Sequence, residues 1–309
     1  MPKMVLVGNG VMGSRHMARL SKMGAEFTCV LDPGAQSGGF PEGNSEATKK
    51  FAQGNAKGSV KFVKSNPEEF GEARLREFIK ADCGEVDAAV IAAPASFHAF
   101  YAREFLKEGI SVFVEKPLAT TAKEARELAH LALDSGTLLF PGYSEKFHPA
   151  FRQLMADLEE PLGKGEFRFV RKNQGSARGR DVPATLDLLV HDLDMLFHIC
   201  GKIPRMQLLE VQRLDSETAC FTAKFGQLKA HFDISRRARA PERSVFAKVG
   251  ERVLGANFLE SFPAPDALEA EHAAFLSQLA TKKNSAFDIL CAVKAVACAE
   301  KLNKLMGQS

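Results

Sequence analysis

The chain has 309 residues, of which 45% are hydrophobic, and its 41 basic and 38 acidic residues give a formal charge of +3. This length and apolar content predict a large core and about two domains. The near balance of charge, without runs of one sign, does not indicate nucleic-acid binding. Six scattered cysteines without a Cys-x-x-Cys pair predict free thiols in a reducing compartment. No segment has the pattern of a signal peptide or a membrane span, so we expect a soluble, cytoplasmic protein without a membrane partner.

In chain order, the first half of the sequence alternates between apolar strands and helices. The predicted strands are MVLV, EFTCVLD, VKFV, VDAAVIAA, ISVFVE and TLLFPGY. Helical spacing follows the first glycine turn and recurs in SFHAFYAREFLKEG and TAKEARELAHLALDSG. Strands that are apolar on both faces are typical of a parallel sheet covered by helices on both sides. We therefore predict an α/β fold with a doubly wound domain at residues 1–120, whose last strand and helix could extend it to 146.

After about residue 147 the pattern changes to short alternating runs divided by Gly, Asp and Ser. These runs are GEFRFVRKNQG, MQLLEVQRL, TACFTAKFG, LKAHFDISRR and RSVFAKVG. Alternation of this kind predicts a mainly antiparallel sheet with one exposed face. One helix, Ala184–Cys200, interrupts the runs, and two more, at about 266–280 and 287–306, follow them. Residues 121–309 are thus predicted to form a second domain that combines helices with an open sheet.

A Gly-x-Gly-x-x-Gly motif follows the first strand, opens the first helix, and precedes a carboxylate, Asp32, at the end of the second strand. The motif consists of Gly8, Asn9, Gly10, Val11, Met12 and Gly13. This context is the fingerprint of dinucleotide binding, with the pyrophosphate at the helix N-terminus. Asp32 would bond a ribose hydroxyl and repel a 2′-phosphate, so NAD is favoured over NADP. The alternative is a glycine turn without a ligand.

Glu115, Lys116 and Pro117 end a buried strand, at the edge where parallel sheets bind ligands. Lys116 could hydrogen-bond a substrate hydroxyl or lower the pKa of a neighbouring group. Pro117 could fix the geometry through a cis peptide bond. From these residues alone, a solvated turn is an equal alternative.

Four ionisable residues share one side of the predicted helix Ala184–Cys200. At 100° per residue the other three fall within about 40° of the first; they are Asp187, His191, Asp194 and His198. Buried ionisable groups need partners or a purpose, and a carboxylate could orient or charge an imidazole that moves protons. Two alternatives remain at this point, a stripe of satisfied polar groups at a domain interface and a metal site.

Together these segments resemble the Gfo/Idh/MocA oxidoreductase family, named for glucose-fructose oxidoreductase, inositol dehydrogenase and a rhizopine-catabolism protein. The resemblance covers nearly the whole chain, through VGNGVMGSRH, VDAAVIAAPASFHAFYAREFLKEGISVFVEKPLA, PGYSEKFHPAF, DLLVHDLDML and EHAAFLSQLATKK. It implies a Rossmann domain followed by a domain with an open, mainly antiparallel sheet, which often forms the interface of a homodimer or homotetramer. It also implies hydride transfer between a nicotinamide and a hydroxyl-bearing carbon of a sugar, polyol or sugar derivative.

The resemblance further implies roles for individual residues. Lys116 would bind and activate the reacting hydroxyl, Asp187 would contact substrate, and His191 would be the acid or base. The residues implied to border the cofactor or the substrate are Pro94, Ser96, His98, Glu115 and Tyr143. A positive Lys116 can stabilise a developing alkoxide while a neutral His191 accepts the proton.

Two departures from the family bear on the substrate: the chain is short, and Lys146 stands where the family often has Arg. The segment RKNQGSARGRDVP carries Arg171, Lys172, Arg178 and Arg180. We hypothesise that at least one of these, foremost Arg178, binds a carboxylate or phosphate on an anionic substrate. A solvated loop is the alternative reading.

Three other functions compete with an NAD-dependent dehydrogenase. A nicotinamide-binding sensor without turnover has no need of Lys116, Asp187 and His191. A metal-dependent lyase or hydrolase would use the stripe on the predicted helix. A lyase or glycosidase that oxidises its substrate transiently would keep NAD tightly bound and use the same residues.

Overall fold

The structure is a computed structural model, and it describes residues 1–32, 60–65, 67–83, 85–159, 162–175, 179–262 and 266–307. The chain forms two compact units, each described here by itself. Unit 1 comprises Met1–Ala119, Lys123–Gly142 and His272–Ser285, and unit 2 comprises Thr120–Ala122, Tyr143–Glu271 and Ala286–Ser309. The predicted division at residue 120, or at 146, places His272–Ser285 in the second domain, whereas these residues belong to unit 1.

Strands and helices largely alternate up to residue 200, and five consecutive strands and two helices follow in the described ranges. The strands are β1 (Lys3–Val7), β2 (Glu26–Asp32), β3 (Lys61–Lys64), β4 (Ala88–Ile91), β5 (Ser111–Glu115), β6 (Leu139–Gly142), β7 (Lys164–Lys172), β8 (Met206–Asp215), β9 (Thr218–Phe225), β10 (Gln227–Ser235), β11 (Glu242–Val249) and β12 (Arg252–Asn257). The helices are α1 (Val11–Lys22), α2 (Pro67–Asp82), α3 (His98–Lys107), α4 (Ala122–Ser135), α5 (Pro149–Leu158), α6 (Val190–Cys200), α7 (Ala267–Thr281) and α8 (Ala286–Met306). Among these helices, none combines the length and the apolar composition that crossing a membrane requires.

Unit 1 is built on a six-stranded parallel sheet in the order β3-β2-β1-β4-β5-β6. Every residue of β4 and β5 is buried; β4 is apolar on both faces, and β5 is apolar at Val112, Phe113 and Val114, between Ser111 and Glu115. The order reverses beside β1 and β4. Doubly wound sheets bind ligands outside the carboxyl ends of their strands at such a reversal.

Unit 2 contains a second six-stranded sheet in the order β12-β11-β7-β10-β9-β8. All its neighbouring strands are antiparallel except β7 and β10. Along β10, buried side chains alternate with more exposed ones. The buried face contains stacked rings, with Phe232 centred 4.9 Å from Phe221 and 5.1 Å from Phe169. One face of the sheet therefore forms the core of unit 2.

The predicted fold class is confirmed, with a doubly wound parallel sheet and a second, mainly antiparallel sheet. One predicted element differs in its geometry. The segment Thr185–Leu189 is a π-helix that continues into α6, so the predicted helix Ala184–Cys200 is not α-helical throughout. A π-helix bonds residues five apart instead of four, which changes the direction of each side chain.

Candidate dinucleotide site and catalytic side chains

The glycine turn after β1 has the geometry that a bound pyrophosphate requires. Gly8 has φ +89°, and a Cβ there would lie 2.5 Å from the backbone nitrogen of Ala93. A Cβ on Gly13 would lie 1.8 Å from the carbonyl oxygen of Gly8, so neither position accepts a side chain. A Cβ on Gly10, in contrast, would meet no described atom within 4 Å. Gly10 thus opens the approach to the N-terminus of α1.

The first turn of α1 favours an anion. Gly10 is its N-cap, its first turn contains no acidic residue, and no side chain among the described residues caps it. The amide groups at such an end carry partial positive charge and need hydrogen-bond acceptors. Gly10 and Val11 are exposed there, and Met12 is half-buried. The residues present therefore fit the phosphates of a dinucleotide.

Asp32 and Asn9 connect the ends of β2 and β1. The buried Asp32 carboxylate accepts a hydrogen bond from the Asn9 backbone N–H at 2.5 Å. The Asn9 side-chain oxygen accepts one from Ser14 Oγ at 3.1 Å. Asn9 Nδ2 is buried and has no hydrogen-bond partner among the described residues. A buried amide donor without a partner is costly, and a ligand acceptor would relieve that cost. The segment DPGAQ, which begins at Asp32, carries no arginine that could bind a 2′-phosphate, and its residues after Asp32 lie outside the described residues.

The first residue of the Glu115-Lys116-Pro117 turn is hydrogen-bonded to a chain of two buried histidines, His16 and His272. The Lys116–Pro117 peptide bond is cis. Glu115 Oε1 lies 2.8 Å from His16 Nε2, and its Oε2 accepts the Lys116 backbone N–H at 3.2 Å. His16 Nδ1 lies 2.7 Å from His272 Nε2, and both imidazoles are fully buried. The turn is therefore connected to α1, through His16, and to α7, through His272.

This chain keeps a buried negative charge beside Lys116. Burial acts to raise the pKa of Glu115, but the hydrogen bond from His16 and the charges of His16, Lys116 and His98 outweigh it and hold the pKa below its ordinary value. Glu115 is thus ionised at neutral pH. Lys116 is half-buried next to it.

The segment after β4 presents two predicted residues to solvent and buries the third. Pro94 and Ser96 are exposed, and His98 is 1% exposed. His98 Nδ1 lies 2.7 Å from the Pro117 carbonyl oxygen and His98 Nε2 lies 2.9 Å from that of Ala93. A neutral imidazole has one N–H and could donate to only one of these acceptors, whereas the protonated ring donates to both. His98 therefore connects the end of β4 with the turn after β5.

In unit 2, Asp187 lies in the π-helical segment and pairs with an arginine that sequence reasoning missed. Arg236, at the end of β10, donates to Asp187 Oδ2 from Nη2 at 2.9 Å and from Nε at 3.1 Å. One arginine in the run SRRAR carries no signal that separates it from its neighbours. The partner of Asp187 is visible only in the folded chain.

His191 and Tyr143, both predicted from the resemblance, contact each other. Their ring centroids are 6.0 Å apart at an interplanar angle of 75°. Tyr143 is fully buried and His191 is 9% exposed. An edge-to-face arrangement of this kind restricts the orientation of the imidazole.

Of the four residues predicted to share one side of the helix, Asp194 and His198 take part in one ion-pair network, whereas Asp187 pairs with Arg236. Lys146 Nζ lies 2.9 Å from Asp288 Oδ1 and 3.6 Å from Asp194 Oδ2. His198 Nε2 lies 3.0 Å from the same Asp288 oxygen. Burial acts to lower the pKa of Lys146, but the charges of Asp194 and Asp288 outweigh it and hold the pKa above its ordinary value. An ammonium group thus lies among these carboxylates.

Asp194, His198 and Cys291 offer ligand atoms that lie within 4.8 Å of one another, the spacing of a metal site. Metals bind the thiolate form of cysteine. Burial raises the pKa of the Cys291 thiol far above its ordinary value, so this thiol is protonated at neutral pH. Lys146 Nζ lies 3.6 Å from Asp194 Oδ2, and burial nevertheless raises the pKa of this carboxyl group. Among the described residues, Lys146, Asp194, His198 and Asp288 form an ion-pair network.

The segment predicted to bind an anionic substrate is only partly described. Arg178 lies outside the described residues, and Arg180 is exposed. Arg171 is 2% exposed and donates to Asp192 at 2.7 Å and to Glu145 at 2.8 Å. Arg171 is therefore an internal ion-pairing residue, and the prediction of an anion site depends on the remaining basic residues.

The chain is similar in sequence to known oxidoreductases. Residues 3–143 match the model of an oxidoreductase family with an NAD-binding Rossmann fold. UDP-N-acetylglucosamine 3-dehydrogenase of Acidithiobacillus ferrooxidans is 28% identical over 200 residues, which cover 62% of this chain and 62% of that protein. Inositol 2-dehydrogenase/D-chiro-inositol 3-dehydrogenase of Shouchella clausii is 30% identical over 198 residues, which cover 62% of this chain and 51% of that protein. The matched segments thus span less than two thirds of these relatives' own lengths.

Solved structures share the fold over nearly the whole chain. The structure of the A. ferrooxidans enzyme aligns with a TM-score of 0.75 at 21% identity, covering 97% of this chain and 96% of that one. The WlbA dehydrogenase of Thermus thermophilus, in complex with NAD and UDP-GlcNAcA, aligns with a TM-score of 0.73 at 19% identity, covering 97% and 94%. At these identities the likeness shows the fold alone.

Proposed function

We propose, from the match of residues 3–143 to the Gfo/Idh/MocA oxidoreductase family, that this chain is an NAD-dependent dehydrogenase of a sugar, polyol or sugar derivative. The observation that carries the proposal lies within unit 1. A glycine turn that fits a pyrophosphate and a Glu-Lys-Pro turn with an ionised, buried Glu115 follow the carboxyl ends of β1 and β5 in one sheet. Relatives of this chain are named as dehydrogenases of UDP-N-acetylglucosamine and of inositols.

The residues proposed to hold NAD are those of the glycine turn and the strand ends beside it. The phosphates meet the N-terminus of α1 over Gly10, Val11 and Met12, and Asp32 accepts a hydrogen bond from a ribose hydroxyl. The side-chain amide of Asn9, which lacks a partner among the described residues, donates to the cofactor. Pro94 and Ser96 border the cofactor after β4, and His98 and Glu115 support that edge from within.

NAD, when bound, supplies the hydride acceptor, and the protein supplies the charges and the proton acceptor. The Lys116 ammonium binds the substrate hydroxyl and stabilises the negative charge that develops on its oxygen. His191 accepts the proton that leaves this oxygen as the carbinol carbon is oxidised. Asp187 and Tyr143 contact the substrate. Reduction of the carbonyl product reverses these steps.

An anionic group on the substrate remains part of the proposal. Arg178 and Arg180 are its candidate partners, since guanidinium groups suit carboxylates and phosphates. Arg171 and Lys172 are the weaker candidates, because Arg171 pairs with Asp192 and Lys172 pairs with Asp233 at 2.6 Å.

We also propose that the protein is a cytoplasmic homodimer or homotetramer that associates through the sheet of unit 2. Phe246 and Val253 are 47% and 69% exposed, and they share a shallow groove with Arg168 and Lys248. Exposed apolar side chains rimmed by charges are typical of association surfaces. Light scattering on the wild type and on Val253→Glu would measure the association.

The test of the enzymatic proposal is a screen of NAD and NADP reduction, by the absorbance of the reduced nicotinamide, against sugars, sugar acids, nucleotide sugars and inositols. Lys116→Ala is the control, which we expect to lose turnover while its NAD affinity, measured by calorimetry, is nearly unchanged. Binding of NAD without turnover on any substrate would reject the dehydrogenase and favour a sensor. Elimination or hydrolysis without net NAD reduction would favour transient oxidation.

A further inference from the structure

Asp187 is held by the side chain of Arg236 in a fixed direction. Two guanidinium donors, Nη2 at 2.9 Å and Nε at 3.1 Å, end on the same carboxylate oxygen, Oδ2. Hydrogen bonds between charged partners are about twice as strong as neutral ones. Two donors on one oxygen define where that oxygen lies and hence where the rest of the carboxylate points.

The guanidinium group is itself fixed by backbone groups. Its Nη2 also donates to the carbonyl oxygens of Gly179, at 2.5 Å, and Val182, at 3.0 Å. Its Nη1 lies 3.6 Å from a carboxylate oxygen of Glu217. Arg236 is itself 4% exposed, so rotation of its side chain would break these hydrogen bonds and leave a buried guanidinium without its acceptors. The planar fork of arginine serves all of these acceptors at once, and a lysine ammonium does not reproduce its geometry.

The backbone at Gly179 confines the same carboxylate from another side. A Cβ at Gly179 would lie 2.7 Å from Asp187 Oδ2, 2.8 Å from its Cγ and 2.9 Å from its Oδ1. Gly179 also has φ +66°, a conformation that favours glycine. The carboxylate therefore lies against a bare Cα, and any side chain at this position would displace it.

We infer that Arg236 and Gly179 are positioning residues that aim the Asp187 carboxylate at the substrate, an inference that rests on the proposed contact between Asp187 and the substrate. Arg236 acts through Asp187 and holds the 179–182 segment against it. A displacement of about 1 Å at a substrate-positioning group is enough to lower catalysis by a large factor. The purely structural alternative is that Arg236 only ties these segments together.

The experiment uses the full chain and the panel substrate that the wild type oxidises fastest. The variants are Asp187→Asn, Arg236→Lys, Gly179→Ala and the double variant Asp187→Asn/Arg236→Lys. Arg237→Lys is the matched control, because Arg237 is the exposed neighbour of Arg236. The readouts are the substrate KM, kcat and the NAD Kd from calorimetry, and thermal unfolding followed by circular dichroism reports whether each variant is folded.

We expect Arg236→Lys and Gly179→Ala each to raise the substrate KM by about tenfold, with the NAD Kd unchanged, and Arg237→Lys to resemble the wild type. In the Asp187→Asn background, Arg236→Lys should add less than about threefold, since the two residues act as one unit. An equal effect of Arg236→Lys in both backgrounds would overturn the inference, as would an unchanged KM in both Arg236→Lys and Gly179→Ala. If Arg236→Lys does not fold, the KM of Gly179→Ala decides. An unchanged KM in Asp187→Asn would instead reject the proposed role of Asp187, and the inference with it.

Discussion

The buried chain that links Glu115, His16 and His272 allows a stability experiment with a defined magnitude. The substitution His16→Leu removes both imidazole nitrogens and keeps an apolar side chain in the space. It deletes the 2.8 Å hydrogen bond to Glu115 and the 2.7 Å contact with His272. A charge-assisted hydrogen bond contributes about 1.5–3 kcal/mol, and breaking a buried ionic pair costs about 3–5 kcal/mol. Since Lys116 and His98 still face Glu115, we expect a loss of about 2–3 kcal/mol near pH 7.

The loss should depend on pH in a direction that follows from the lowered pKa of Glu115. A carboxylate whose folded pKa lies below its unfolded value stabilises the fold above the unfolded value, here 4.5. That stabilisation disappears as the pH falls through the folded pKa. The difference between His16→Leu and the wild type should therefore be full near neutral pH and should shrink when the pH falls below the unfolded value.

Urea denaturation followed by intrinsic fluorescence or circular dichroism measures the difference at several pH values. His130→Leu is the control, because His130 is an exposed histidine of α4. Adding Glu115→Gln to His16→Leu should recover part of the loss, since it removes the buried charge. A loss below about 1 kcal/mol near pH 7, or the same loss at every pH, would refute the reasoning.

Three further expectations concern the cofactor and the reaction. Gly10→Ala should fold with an unchanged Tm and bind NAD at least about tenfold more weakly by calorimetry. Gly13→Ala should lose both stability and NAD binding, because its Cβ would lie 1.8 Å from a carbonyl oxygen. Equal behaviour of the two variants would contradict the turn geometry. Asp32→Ala should weaken NAD binding and barely change NADP binding, and an unaltered preference for NAD would show that Asp32 does not contact the ribose. His191→Ala should flatten the pH–rate profile in the range where imidazoles titrate, about pH 6.5, and a preserved limb there would assign the proton transfer to another group.

Much of the fold could be predicted because its signals are local. The strand that ends at Glu115 is continuous and apolar, and all five of its residues are buried. The turn at Gly8 was predicted from the spacing of glycines between a strand and a helix, and steric exclusion at Gly8 and Gly13 explains why glycine is required. Hydrophobic periodicity and the steric exclusion of side chains from a turn both depend on a few neighbouring residues, so both can be predicted from the sequence.

The geometry around Asp187 could not be predicted in the same way. An apolar helical pattern is satisfied equally by an α-helix and by an α-helix that begins with a π-helical turn. The segment Thr185–Leu189 adopts the second form, and the residues Asp187 and Asp194 take different partners. A helical wheel drawn at 100° per residue therefore does not describe the direction of Asp187 relative to the residues of α6.

The sequence by itself determined the doubly wound sheet, the dinucleotide turn and the residue types at the candidate site, because each depends on local pattern and on a recognisable order of motifs. Only the tertiary structure decided which charges meet. His272 joins His16 across 256 residues of sequence, and Arg236 reaches Asp187 across 49. These pairs form where strands and helices from distant parts of the chain come together. Burying a charge without a partner is costly, so a partner is needed, but the sequence does not show which residue it is.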